Sequence, residues 1–186
     1  MATSQSLLLL LLVSLLASSS PAVLATGGDR GGAASGRPKR THIRVYVHEL
    51  FSGPNATVTS VAPSPLGANA TFGEVGAVDD EVRAGPDATS ELVGRYQGLF
   101  VGSDLADASY TAAITVVFTA GEHRGGTVSL QGLYSFPGDD TVERAVVGGT
   151  GRLRMASGYS LLKVVSTPTP ESAVFQLDLF VFTPRG

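Results

Sequence analysis

Ile43, Val45, Val47 and Glu49 alternate along one short segment, against Arg44, Tyr46 and His48 on its other face, so a carboxylate closes an otherwise apolar row. A carboxylate placed there has to be paired, protonated or seated at a solvated mouth, and burial raises its pKa. Glu49 is therefore the candidate catalytic acid, able to give a proton or a hydrogen bond to an oxygen of a bound ligand. Its companions are aromatic. Leu92, Gly94, Tyr96, Gly98, Phe100 and Gly102 share one face of a second segment, and Val128, Leu130, Gly132, Tyr134 and Phe136 share one face of a third. Rings alternating with glycines suit a wall around a flat aromatic ligand, with Tyr96, Phe100, Tyr134 and Phe136 stacking on it. The same glycines suit bulges or tight bends equally well. Arg95 points away from Tyr96 and Phe100, in place for a structural ion pair.

Other chemistries find little support. There is no Gly-x-Ser-x-Gly elbow and no cysteine, and His42, His48 and His123 have no triad partners at a recognised spacing. Two of these histidines share a strand and the third lies in a Gly-Glu-His-Arg-Gly turn, so no metal site is expected. Gly148-Gly149-Thr150-Gly151 could offer amides to a phosphate, but it lacks the Gly-Lys-Ser/Thr ending of a P-loop and the strand-to-helix setting of a dinucleotide site. It is read as a bend whose glycines permit positive φ and help close the fold. No cofactor is expected.

Positioning these residues takes β-structure throughout. Alternating segments bounded by Gly, Pro, Asn and Asp clusters predict eight strands, at 42–50, 57–62, 72–82, 91–101, 110–119, 127–136, 158–166 and 173–183. Short consecutive strands with hairpin-like links predict an all-β fold, an eight-stranded antiparallel β-barrel that leaves no unpaired edge. Its interior holds side chains or one small ligand. The last strand sets Phe175, Leu177, Leu179 and Val181 against Phe180 and Phe182, so its outer face is expected to pack on another subunit.

The 186 residues suffice for one domain and a leader. A hydrophobic share of 43% with 16% charged residues and 23 glycines fits a packed core with many turns. Net charge is −3 and the one basic run is Arg37-Pro38-Lys39-Arg40, which excludes the electrostatic footprint of a nucleic-acid binder. The apolar run from Leu7 to Leu16 is shorter than the roughly 20 residues of a membrane span. With the small residues that follow, it predicts a signal peptide at 1–25, cut after Ala25, and hence secretion with no membrane anchor. Residues 26–41, rich in Gly, Ala, Ser and Arg, read as a flexible arm, and 42–186 as the barrel domain. Having no cysteine, the chain makes no disulfide even in an oxidising compartment. Asn55-Ala56-Thr57 and Asn69-Ala70-Thr71 lie in turn-rich segments and make Asn55 and Asn69 expected N-glycan acceptors.

Five signatures follow one another in fixed order: His48-Glu49, Gly53-Pro54-Asn55-Ala56-Thr57, Gly94-Arg95-Tyr96-Gln97-Gly98, Val117-Phe118-Thr119-Ala120-Gly121-Glu122-His123 and Val146-Val147-Gly148-Gly149-Thr150-Gly151. Together, across His42 to Phe182, they resemble the dirigent proteins, plant proteins that steer phenoxy-radical coupling. The resemblance implies a homotrimer of barrels, an architecture shared with allene oxide cyclase, in the apoplast or cell wall. It also implies a pocket for phenylpropanoid radicals, such as those of coniferyl alcohol, or for quinone methides. A separate oxidase or laccase supplies the radical, and the pocket sets which faces meet by proximity and orientation. Related members act as cyclases on quinone methides.

Carried over residue by residue, the pattern is altered. The aspartate of the family's His-Asp pair falls at Glu49, two tyrosines of lignan-forming members fall at Phe100 and Gly102, and a further aspartate falls at Tyr134. The family's arginine falls at Val142, with Arg144 close enough to replace it after a small register shift. Missing terminal cysteines mark a divergent member. The expected function is regio- and stereocontrol of phenoxy-radical coupling in lignan or phenylpropanoid biosynthesis, without oxidative activity of its own; pinoresinol formation specifically does not follow. The alternative is a non-catalytic cell-wall or defence-related binding protein of the same fold. A chloroplast-type cyclase is disfavoured by the secretory character of the leader.

Overall fold

The computed structural model describes residues 37–136 and 141–185, so the expected signal peptide and most of the arm lie outside the described residues. Nine strands are present among these residues: β1 Lys39–Leu50, β2 Val58–Ala62, β3 Val75–Arg83, β4 Leu92–Gly102, β5 Ala108–Phe118, β6 Thr127–Phe136, β7 Val142–Thr150, β8 Ser157–Ser166 and β9 Ser172–Thr183. β1 begins ahead of the expected His42, because Lys39, Arg40 and Thr41 pair with Thr183, Phe182 and Val181 of β9.

Eight strands close the ring in the order β1-β9-β8-β7-β6-β5-β4-β3, every pair antiparallel, and β3 returns to β1. The barrel of eight is as expected, but its membership differs. The outer edge of β3 is shared: Glu81, Val82 and Arg83 pair with β1, while Val75 to Val78 pair with β2, which stands beside the ring. The eighth ring strand is β7, read from the sequence as part of a bend.

The bend is real but later. Gly148 and Gly149 continue the ladder opposite Ser129 and Val128, with a bulge where Leu130 pairs Val146. The chain turns at Gly151, φ +59°, and Met155, φ 58°, around a short 3₁₀ turn, Gly151–Leu153. A Cβ at Gly149 would stand 2.4 Å from the Leu153 carbonyl oxygen, so glycine there permits close approach of that turn.

Alternation then divides the interior along its length. Val45, Val82, Val116, Val128, Leu130, Leu177, Leu179 and Val181 are each 5% exposed or less and plug one half of the barrel. Burying each such side chain is worth about 1.5–3 kcal/mol. Further along the same strands, Val47, Ile114 and Phe175 form walls around open space.

Candidate functional site

That space is a cavity of about 240 Å³. Its walls are mostly apolar: Val47, Val58, Val78, Phe100, Ala112, Ile114, Leu162 and Phe175, with Glu49, Glu74, Tyr96, Tyr110, Tyr134 and Arg144 as polar members. Of the residues expected from the sequence, Glu49, Tyr96, Phe100, Tyr134 and Arg144 all meet here. Phe136 ends β6, and its side chain lies outside the described residues. Val142, where the unshifted arginine was placed, is partly buried against the core instead.

Glu49 is half-buried at the end of the inward row of β1, and burial raises its pKa. It is thus a carboxyl group biased toward its proton-donating form at the cavity wall. Burial pushes the Tyr134 hydroxyl up to about 12, reinforced by the nearby Glu49 charge. Tyr96 is 6% exposed, and burial raises its pKa against the opposing pull of Arg144. The Arg144 guanidinium sits 5.7 Å from the centre of the Tyr96 ring, within the reach of a cation–π contact. Arg144 is 3% exposed, and its Nε and Nη2 have no hydrogen-bond partner among the described residues.

Two glycines shape this constellation. A Cβ at Gly132 would lie 2.8 Å from Arg144 Cγ, so the bare backbone of β6 is the seat over which Arg144 crosses the interior. At Gly76 a Cβ would lie 1.9 Å from Phe100 Cζ, which places that ring flat over β3. The β4 glycines act differently. A Cβ on Gly98 would stand 2.2 Å from the Ala113 carbonyl oxygen, so it serves close strand approach rather than room for a ligand.

Sequence reasoning missed a second acid. Asp80 is fully buried in β3, where the outer edge of that strand passes from β1 to β2. Thr57 Oγ1 donates to Asp80 Oδ1 at 2.5 Å and accepts from the Leu50 amide at 3.0 Å, while Asp80 Oδ2 has no hydrogen-bond partner among the described residues. Burial pushes the Asp80 carboxyl to about 8, opposed by the Thr57 hydrogen bond and assisted by the charge of Glu49. The signal lay in the alternation Gly76, Val78, Asp80, Val82, hidden within the polar run Asp79-Asp80-Glu81. Tyr110 and Glu74 were missed as well: the Tyr110 hydroxyl donates to Glu74 Oε2 at 3.0 Å.

The remaining candidates stand outside the cavity. Arg95 donates to Asp79 Oδ1 at 2.8 Å, the structural ion pair expected of it. His42 stacks on Phe180, His48 lies 3.2 Å from the Gly85 carbonyl, and His123 meets Phe118 edge-on. Among the described residues no three His, Asp or Glu side chains gather where they could hold a metal ion. Asn55 and Asn69 are both exposed. On the outer face of β9, Phe180 lies between His42 and Tyr159, with ring centres 4.5 and 4.7 Å away.

Comparison with known proteins agrees with this architecture. The family model described as dirigent-like protein matches residues 40–182. Pterocarpan synthase 1 of Glycyrrhiza echinata is 35% identical over 147 residues, covering 77% of this chain and 78% of that protein. Dirigent protein 11 of Arabidopsis thaliana is 36% identical over 147 residues, 77% of this chain and 75% of the relative. The solved structure of the pterocarpan synthase dirigent protein GePTS1 superimposes with a TM-score of 0.72 at 34% identity, covering 83% of this chain and 90% of that one.

Proposed function

The chain belongs to the dirigent-like protein family, and we propose that its barrel holds one phenol-derived radical or quinone methide and fixes the face at which the new bond forms. The observation that carries this is the meeting of Glu49, Tyr134 and Arg144 around a cavity otherwise walled by Phe100, Phe175 and aliphatic side chains. Aromatic walls orient a flat ring, while Glu49 gives a hydrogen bond or proton to its oxygen. Holding one face toward its partner converts a random encounter into an oriented one. A separate oxidase or laccase supplies radicals of monolignols such as coniferyl alcohol. The leader composition supports secretion to the apoplast, and the aromatic stack of His42, Phe180 and Tyr159 on the outer face of β9 supports a homotrimer.

Purified protein added to laccase and coniferyl alcohol should give an enantiomeric excess on a chiral column that grows with protein dose. Racemic product at every dose, with this and several other phenols, would sink the proposal. Glu49→Gln, which keeps a hydrogen-bond donor but cannot release a proton, should lower the ratio of enantiomers roughly two- to tenfold. An unchanged ratio would remove Glu49 from the mechanism.

A second reading is ring closure within a single quinone methide. It is favoured by the cavity of about 240 Å³, smaller than the roughly 300–1,000 Å³ typical of drug-sized ligand pockets and suited to one small molecule. Turnover of a quinone methide in the absence of any oxidase distinguishes it from control of radical coupling.

A further inference from the structure

We propose that Glu74 and Tyr110 form a second polar pole of the cavity, which selects ligands carrying a free hydroxyl at the end remote from Glu49. The inference rests on the phenolic ligand proposed above and narrows its class.

Glu74 immediately precedes β3 and shares the inward parity of Gly76, Val78 and Asp80. His48 pairs with Glu81, which sets Glu49 at the level of Asp80, and six residues, roughly 20 Å along an extended chain, separate Glu74 from that level. Gly102 of β4 donates its amide to the Glu74 carbonyl at 2.9 Å, which ties this level down. Tyr110 sits at the same level, directly across from Gly102 on one side and Tyr134 on the other. Phe100 meets the Tyr110 ring edge-on, with centres 5.3 Å apart and planes at 88°, which fixes the ring's direction. Glu74 and Tyr110 both line the cavity, and Val78, Phe100, Ala112, Ile114 and Phe175 provide apolar wall around them.

The chemistry of the pair is one-sided. Its single proton is already committed, from the Tyr110 hydroxyl to Glu74 Oε2. What remains are the other acceptor sites of the carboxylate and the lone pairs of the phenol oxygen. Such a pole takes a hydrogen-bond donor and gives nothing to a methyl ether or a carboxylate. A ligand bearing a phenolic or alcoholic hydroxyl at this end satisfies Glu74, whereas its O-methyl ether desolvates Glu74 without replacement. Discrimination at this level therefore concerns methylation state, independently of the acid at Glu49.

The test uses the full protein and two stable probes, 4,4′-dihydroxystilbene and its dimethyl ether, with dissociation constants measured by calorimetry for wild type, Glu74→Gln and Tyr110→Phe. Wild type should bind the dihydroxy probe about a hundredfold more tightly than the ether. Each variant should cut that ratio by about tenfold and still bind the ether, a sign that the pocket is still folded. Tight dihydroxy binding with the wild-type ratio retained in both variants would overturn the pole and leave the phenol pocket standing. Binding of neither probe by wild type would instead remove the phenol pocket, and the pole with it.

Discussion

Asp80 and Asp178 are nearly equally sealed from solvent, at 0% and 7% exposed, and are driven to opposite protonation states. Asp178 faces outward from β9 and accepts from Arg44 Nε at 2.7 Å, His42 Nε2 at 2.7 Å and Gln176 Nε2 at 2.6 Å. Burial pushes its pKa up, but the hydrogen bonds from Arg44, Gln176 and His42 together outweigh that and hold it below the usual carboxylate range. Asp80 faces inward with one hydroxyl donor, and burial lifts it to about 8. Asp178 is covered by its own half-exposed partners Arg44 and His42, so three donors and a shallow site keep its charge, whereas Asp80 lies deep in the barrel with a single donor. The outer sheet face thus carries a clasped anion, whereas the interior beside the cavity carries a neutral acid.

The largest expected effect breaks this contrast directly. In the unfolded chain Asp80 ionises near its ordinary 3.8, but in the barrel only near 8. Its contribution to stability is therefore fully present below about pH 4 and is lost as pH rises toward 8, by an amount on the order of several kcal/mol. Asp80→Asn should flatten that slope and stabilise the protein by a few kcal/mol at pH 8 relative to pH 4. Asp178→Asn should act in the other direction, costing about 1–3 kcal/mol at neutral pH and erasing the loss of stability below pH 4. Urea denaturation at about pH 2.5, 4, 6 and 8 reads both. An Asp80→Asn protein that keeps the wild-type slope would mean Asp80 is ionised in the fold.

The same opposition holds for the cations. Arg44 outside is paired to Asp178, while Arg144 inside leaves two donor nitrogens unmatched among the described residues and rests on Tyr96. Gly132→Ala should sharpen the difference, because the added methyl meets Arg144 Cγ at 2.8 Å and Arg144 Cα at 3.3 Å. Overpacking of this kind costs about 1–3 kcal/mol and should reduce any stereochemical bias by moving Arg144 off Tyr96. Gly148→Ala is the control, since nothing lies within 4 Å of its added carbon and a change under about 0.5 kcal/mol is expected. Equal destabilisation of the two variants, by thermal melting, would show that Arg144 does not depend on its seat.

What was legible in the sequence follows the same division. Glu49, Tyr96, Phe100 and Tyr134 could be assigned to the interior because a period of two fixes the face once neighbouring residues are apolar. β7 was hidden because its inward row contains Arg144 and its end is a glycine run, so apolar alternation failed where the site needed a cation. Arg144 itself emerged only through the family resemblance and a small register shift. Asp80 was lost between two acidic neighbours. The Tyr110–Glu74 bond joins residues 36 apart and depends on how β3, β4 and β5 stack in register, which no local pattern reports.

The smallest expected effect concerns Thr57, which the sequence presented as the third residue of a sequon and the start of a strand. Its hydroxyl is the donor that Asp80 has, and it also receives the Leu50 amide where β1 parts from β3. Thr57→Val removes sequon and hydroxyl together, whereas Asn55→Gln removes the sequon alone and alters an exposed side chain. Expressed in bacteria, where neither site carries a glycan, Thr57→Val should cost about 0.5–1.5 kcal/mol at pH 6, and Asn55→Gln should stay within about 0.5 kcal/mol of wild type. Thr57→Ser, which keeps the hydroxyl, should recover most of the loss. Removing the donor also raises the Asp80 pKa further, so the stability lost by Thr57→Val should be greater at pH 8, where Asp80 begins to ionise in the native barrel, than at pH 4. Equal losses at the two values would mean that the hydroxyl serves the strand junction at Leu50 rather than the carboxyl.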